Sequence, residues 1–251
     1  MSYTSLREQV VLVTGASSGL GRAIALELSR QGCRVALVGR RQEELARTLH
    51  QMEGEGHQLF PWDLSQLDAL PELMQQIVAQ MGSVDKLVHA AGLHATQPIR
   101  ILSTEDTQKL YTTNVFAFMF LVKAFRNKRI PKREPSVVAL SSVVGTVGQP
   151  GVSTYAGTKG ALESTIRSFA LELAAEGIRV NAVAPGIVQT EMTDQLRKQV
   201  GDEQYAKIAS LHPLGLGRPE DVAHAVAFLL AQESRWMTGT TLTIDGGYTA
   251  Q

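Results

Sequence analysis

Tyr155 and Lys159 stand four residues apart near the start of Thr154–Glu176, a stretch of strongly helical spacing, so both side chains project from one helix face. A free phenol titrates near ~10 and is a poor acid–base group at neutral pH; a nearby ammonium favours the phenolate and lowers that pKa. Ser142 follows the apolar run Val137–Ser141, at the edge where doubly wound sheets bind ligands. The Y-x-x-x-K spacing also describes an ordinary surface pair, so its meaning rests on what accompanies it.

A second group of residues points to a phosphate site. Thr14-Gly15-Ala16-Ser17-Ser18-Gly19-Leu20-Gly21 lies between an apolar run and a helical stretch. Small residues there let the backbone approach a pyrophosphate, and the free N–H groups at the helix start favour its charge. The second apolar run, VALV, ends in Gly39-Arg40-Arg41. An NAD site usually carries a carboxylate at this point for the ribose hydroxyls. Two guanidiniums in its place suit a 2′-phosphate, which favours NADP(H) and leaves NAD(H) as the alternative. The same arginines could equally be solvated surface residues. Asp63 is a candidate acceptor for an adenine amino group, or a cap for the helix that begins near Leu67.

The elements that must position these residues alternate along the chain. Val10–Thr14, Val35–Gly39, Leu59–Pro61, Lys86–Ala90, Val137–Ser141, Arg179–Ala184 and Thr241–Ile244 have the character of strands. Several lack polar alternation, as parallel strands buried on both faces do. Leu20–Gln31, Gln42–Met52, Asp68–Gln80, Thr104–Phe125, Thr154–Glu176 and Glu220–Ala231 have helical period. The pattern predicts an α/β fold: a single Rossmann-like domain over 1–251, with a doubly wound parallel sheet of about seven strands and helices on both faces. Two segments are irregular: Arg126–Pro135, rich in Lys, Arg and Pro, and Gln189–Pro219, with room for one or two short helices.

Composition narrows the function further. The 251 residues carry 24 Lys plus Arg against 24 Asp plus Glu, which argues against general attraction to nucleic acid or an anionic membrane. Cys33 is the one cysteine, so no internal disulfide framework exists and a reducing compartment is expected. No apolar run reaches bilayer-spanning length and the first residues lack a signal-peptide pattern, so the expected location is the cytoplasm.

These motifs together resemble the short-chain dehydrogenase/reductase family along the whole chain. The resemblance rests on TGASSGLG at 14–21, Asp63-Leu64, HAAG at 89–92 and Asn114, followed by Ser142, YAGTK at 155–159, PGIVQT at 185–190 and IDGGY near the C-terminus. It implies that Tyr155 is the general acid for ketone reduction or the base for alcohol oxidation. Lys159 would lower its pKa and hold the nicotinamide ribose. Ser142 would orient the carbonyl oxygen, and Asn114 would hold a water that relays protons from Lys159 to solvent. The cofactor contacts implied are Gly15, Ser17, Ser18, Gly19, Leu20, Gly21, Arg40, Arg41, Asp63, Leu64, Ala90, Ala91, Gly92, Tyr155, Lys159, Pro185, Gly186, Val188 and Thr190. Family members usually assemble as dimers or tetramers.

Two departures stand out. The family usually has Asn-Asn-Ala-Gly where this chain has His89-Ala90-Ala91-Gly92, which removes two amides that would tie the neighbouring turn. Ser18 stands where many NADP(H)-using relatives carry a base, which leaves the 2′-phosphate to Arg40 and Arg41.

Within the family the general pattern is closest to 3-oxoacyl-carrier-protein reductases, through SSVVGTVG and TGTTLTIDGGY. Those reductases present bases to an acidic carrier near the site entrance. Here Arg133 matches one such position, but Glu176 reverses the other, which argues against carrier docking. The five bases in 126–133 form either a solvated loop or a docking patch. Selectivity is expected from 189–216, where Met192, Leu196, Val200, Tyr205, Ile208 and Leu211 either line a pocket or pack a lid. The substrate is a small carbonyl or alcohol: an acyl thioester, a ketone, a sterol-like alcohol or a sugar derivative. A non-catalytic dinucleotide-binding protein is the alternative from another class.

Overall fold

The computed structural model describes residues 3–191, 193, 197–198 and 201–250. Of the selectivity residues, Met192, Leu196 and Val200 lie outside them.

Seven strands form one sheet: β1 (Val10–Thr14), β2 (Arg34–Gly39), β3 (Gln58–Pro61), β4 (Lys86–His89), β5 (Ser136–Leu140), β6 (Arg179–Pro185) and β7 (Thr241–Ile244). The order is β3-β2-β1-β4-β5-β6-β7, and every pairing is parallel. The centre explains why: every residue of β1, β4 and β5 is buried. Alternate residues of β1 feed opposite layers, with Val10 and Leu12 packed on one side and Val11 and Val13 on the other.

One layer takes its apolar faces from α3 (Leu70–Met81), α5 (Ala117–Arg126) and α6 (Ser153–Leu173). The other takes them from α1 (Gly19–Arg30), α2 (Gln42–His50) and, further along the chain, the helix Pro219–Leu230. Among the described residues two further helices have defined bounds: α4 (Thr104–Tyr111), just before α5, and α7 (Asp202–Ser210), which makes Pro219–Leu230 α8. Strand order reverses between β1 and β4, and the crevice at that switch point is where such sheets bind ligands.

The stretch expected as one helix over 104–125 is divided. A wider π-helical turn, Thr112–Phe116, separates α4 from α5. Asn114 lies inside it and its side chain is fully engaged: Leu93 N donates to Oδ1 (2.8 Å), and Nδ2 donates to Leu93 O and to Thr158 Oγ1 (both 3.0 Å). Turns of this kind recur at functional sites.

The basic segment 126–133 closes the opposite end of the sheet. Arg126 meets Glu176 at 2.6 Å, and Lys132 donates to the carbonyls of Asn127 and Ile130. The Arg133 guanidinium reaches the buried Asp85 and the Glu8 carbonyl, and Val84 N donates to Pro131 O. Three of its five bases are thus spent on internal contacts before the N-terminal ends of β4 and β5. That position is remote from the C-terminal ends where Ser142 stands, which counts further against a docking patch at the site.

Candidate active site

The first strand–helix turn is built so tightly that side chains are excluded. A Cβ on Gly15, whose φ is +69°, would lie 2.8 Å from the Ala91 backbone. One on Gly21 would lie 2.2 Å from Gly15 O. The loop of Gly15–Gly21 therefore abuts Ala90 and Ala91 across the switch point, and α1 starts at Gly19 with its amides facing the crevice. Leu20 and Ala90 pack on one core layer, while Leu64 and Ala91 pack on the other. A turn of this shape has room for a phosphate group against its backbone.

At its rim, Arg41 donates to Ser18 Oγ (2.7 Å) and Ser17 Oγ (3.1 Å). Arg40 and Arg41 are both exposed there, and no carboxylate ends β2. Asp63 Oδ1 accepts from Ser65 N (3.0 Å) and Ser65 Oγ (2.9 Å), a local turn before the short 3₁₀ segment at Leu67. The Ser65 bonds hold its carboxyl below the usual range, and Arg40 adds to this. A dinucleotide with a 2′-phosphate fits these donors: backbone amides for the pyrophosphate and an exposed guanidinium pair for the extra phosphate.

Ser142, Tyr155, Lys159 and Asn114 come together on the other side of the crevice. The Lys159 ammonium lies 5.5 Å from the Tyr155 ring centroid and donates to Leu140 O at 2.7 Å. A Cβ on Gly92 would lie in ordinary contact with Asn114 Oδ1 at 3.5 Å and Lys159 Nζ at 3.7 Å, which places this turn directly beside both side chains. The sequence predicts that Lys159 lowers the phenol's pKa. In this structure burial prevails and pushes Tyr155 up to about 12, opposed by its hydrogen bond with Ser142. Burial also draws Lys159 down to about 8, against the attraction of Glu163. Tyr155 thus holds its proton throughout the neutral range, as a general acid must.

The turn lacking both family amides is tied in another way. Thr14 Oγ1 accepts from Ala91 N (3.1 Å) and lies 3.2 Å from His89 Nδ1. His89 is 1% exposed and packs on Phe118 at 5.7 Å. Its Nε2 faces the carbonyls of Thr113 and Asn114 without hydrogen-bond geometry. Burial, reinforced by Lys159, drives this imidazole to about 3, so it is neutral.

The C-terminal end of β6 forms the remaining wall. A Cβ on Gly186 would crowd Asp245 and His212 Nε2, both at 3.0 Å, and Gly186 N donates to Ile244 O. Val188 bridges in parallel to Gly217, and Thr190 N donates to Thr193 Oγ1 at 2.8 Å.

Four residues here have no site role in the sequence reading. His212 accepts from Ile187 N at 3.2 Å and stacks on Tyr248 at 4.9 Å. Tyr248 packs with Val143, Val144 and Tyr155, which brings the IDGGY segment back to the site. Glu163 is buried one turn beyond Lys159 and accepts from Ser141 Oγ at 2.6 Å. His94 packs against Tyr155. Of these, Tyr248 stands in the IDGGY motif without a role read from it, and Glu163 leaves a trace as a carboxylate on the inward stripe of α6, four residues from a lysine.

Residues 15–249 match the protein family described as enoyl-(acyl carrier protein) reductase. A 3-oxoacyl-[acyl-carrier-protein] reductase, FabG, of Thermotoga maritima is 33% identical over 245 residues, covering 96% of this chain and 98% of that protein. Among solved structures, the ligand-free aldohexose dehydrogenase of Thermoplasma acidophilum superposes with a TM-score of 0.88 at 29% identity, covering 100% of this chain and 97% of that one. ElxO with NADP bound also gives 0.88, at 30% identity, covering 97% and 100%.

Proposed function

The chain belongs to the short-chain dehydrogenase/reductase family of oxidoreductases acting on carbonyl and alcohol groups, and on that premise we propose that it is an NADP(H)-dependent reductase of 3-oxoacyl thioesters. The observation that carries this is the pairing of a protonated Tyr155 beside Lys159 with a glycine cradle rimmed by Arg41. The FabG likeness supports the thioester class, and the NADP in ElxO supports the cofactor.

In this reading Gly15, Ser17, Ser18, Gly19, Leu20 and Gly21 receive the pyrophosphate, and Arg40 and Arg41 the 2′-phosphate. Asp63 and Leu64 flank the adenine. Ala90, Ala91 and Gly92 line the crevice floor, while Pro185, Gly186, Val188 and Thr190 border the nicotinamide. That ring supplies the hydride when bound. Ser142 donates a hydrogen bond from its hydroxyl to the substrate's carbonyl oxygen and orients it. Tyr155 gives that oxygen its proton, and the Lys159 ammonium stabilises the phenolate left behind. Asn114, locked by Leu93 and Thr158, holds its turn open for a water that returns a proton toward Lys159. Residues 189–216 supply the substrate wall, the chain acting as one domain.

Likeness to aldohexose dehydrogenase supports a second reading, oxidation of a sugar alcohol or hemiacetal. We also assign the protein to the cytoplasm, on the single buried thiol of Cys33, and to a dimer or tetramer, on the apolar side chains exposed along α5 and α6. No helix among the described residues is long and apolar enough to cross a membrane.

The test is activity with NADPH and NADH across ketones, acyl thioesters and sugars. The expected result is NADPH-dependent reduction, with the thioester turned over best. Replacing both arginines, Arg40→Asp with Arg41→Ala, lowers the NADPH-to-NADH ratio of kcat/KM by about tenfold or more, the loss of charged hydrogen bonds of ~1.5–3 kcal/mol. An unchanged ratio refutes the assignment of the 2′-phosphate. Sugar oxidation outpacing every reduction favours the second reading.

A further inference from the structure

His94 belongs to no motif above and has no part in the proton transfer, yet its position is fixed from both sides. Its neighbour Leu93 is clamped through both backbone groups by the Asn114 amide. Three residues on, Gln97 N donates to Gly151 O at 2.6 Å, which fastens this loop to the segment running from Ser142 into α6. The Gln97 side chain donates to Asp106 on α4 at 2.7 Å. Between these anchors the His94 ring meets the Tyr155 ring edge-on, with centroids 4.7 Å apart and planes at 67°.

His94 is otherwise exposed. Among the described residues neither ring nitrogen has a hydrogen-bond partner. Unused donor and acceptor atoms beside the phenol that meets the reacting oxygen suit recognition of another part of the same substrate.

The chemistry of that part follows from the charges around His94. Partial burial and the nearby Lys159 ammonium both hold its pKa below the ordinary imidazole value. No carboxylate is among the groups acting on it. The ring is therefore neutral at pH 7, with one N–H and one lone pair, and offers a carboxylate no charge partner. An uncharged oxygen near the ketone is the better match, and the carbonyls of a 3-oxoacyl thioester are in that relation, separated by a single methylene.

Resting on the thioester reading above, we propose that His94 is a substrate-binding residue that donates its ring N–H to the thioester carbonyl while Tyr155 and Ser142 engage the 3-oxo group. It thereby selects 3-oxoacyl thioesters over isolated ketones and over free 3-oxo acids.

The experiment measures kcat/KM with NADPH for acetoacetyl-coenzyme A, acetoacetate and a simple methyl ketone, in the wild type and in His94→Ala, His94→Phe and His94→Gln. The wild type is expected to prefer the thioester to both others. In the Ala and Phe variants the thioester-to-methyl-ketone ratio falls ~10–100-fold, chiefly through KM, since a buried acceptor is left unmatched. Glutamine, which keeps an N–H donor, restores part of it. The methyl ketone serves as the check that each variant is folded and competent.

Equal losses on both substrates would reduce His94 to a support for Tyr155 and overturn the proposal, as would an unchanged ratio. A wild type that reduces the methyl ketone but gains nothing from the thioester overturns it too. Absence of any NADPH-dependent reduction is a different result, because it removes the function proposed above.

Discussion

Tyr155 and Lys159 each favour their neutral form, and that balance predicts the pH profile. The phenol stays protonated to about 12, so it does not limit reduction in the neutral range. Lys159 is drawn down to about 8, and in the proposed mechanism its charge stabilises the phenolate once the proton has gone. Reductive kcat/KM is therefore expected to be flat below pH 7 and to fall through about 8, while alcohol oxidation, which needs the phenolate, rises with pH. Glu163 raises the Lys159 pKa, whereas the neighbouring His89 and His94 are neutral and add no charge. Glu163→Gln should thus move the alkaline limb to lower pH, and a limb that stays in place would refute Lys159 as its source. Tyr155→Phe should reduce turnover by ~10²–10⁴-fold while dinucleotide binding, followed by fluorescence, persists. At this scale the site was legible where chemistry has a fixed spacing along one helix, as in Tyr155 and Lys159. His94 and His212 were not, because their partners lie across the fold and no local pattern announces such contacts.

The elements reproduce the alternation expected from the chain because buried parallel strands need apolar residues on both faces, and few other structures do. All seven expected strands are present with ends shifted by a residue or so, and all pair in parallel. The π turn at Thr112–Phe116 was not legible: it coincides with contacts of the Asn114 side chain to Leu93 and Thr158, both distant in sequence, and helical periodicity runs through it almost undisturbed. The purpose of 126–133 was hidden for a related reason, since its acidic partners Asp85 and Glu176 are distant in sequence. The glycine cradle, by contrast, is both legible and testable. A methyl group at Gly21 would sit 2.2 Å from Gly15 O, far inside contact distance, so the loop must shift. Gly21→Ala should weaken NADPH binding by at least ~10-fold in titration calorimetry, the cost of a displaced backbone cradle being above ~1.4 kcal/mol. Unaltered affinity would mean that the pyrophosphate lies elsewhere.

For the whole molecule, the zero net charge conceals a division of labour among the bases. Arg126 and Arg133 are consumed in closing the far end of the sheet, whereas Arg40 and Arg41 remain exposed at the cradle rim. What the surface has in excess is apolar. Phe116 is 41% exposed and Phe120, one turn along α5, 37%; Leu171 on α6 is 81% exposed and Trp236 97%. Side chains of this size gain roughly 1.5–3 kcal/mol each on full burial from water, so Leu171 and Trp236, with a smaller gain from the half-buried Phe116 and Phe120, favour self-association. Phe116 ends the turn that holds Asn114, Phe120 lies one turn further along α5, and α6 carries Tyr155, Lys159 and Leu171 on one rigid body. Pairing through these helices would therefore brace the catalytic residues from behind. Light scattering should give a mass of at least twice 27.2 kDa. Phe120→Asp combined with Leu171→Asp should shift the protein toward monomer and lower its melting temperature, with kcat falling further than cofactor affinity because the braced residues are catalytic. A wild type that is monomeric at micromolar concentration would refute the assembly, and a monomeric variant with full kcat would refute the bracing.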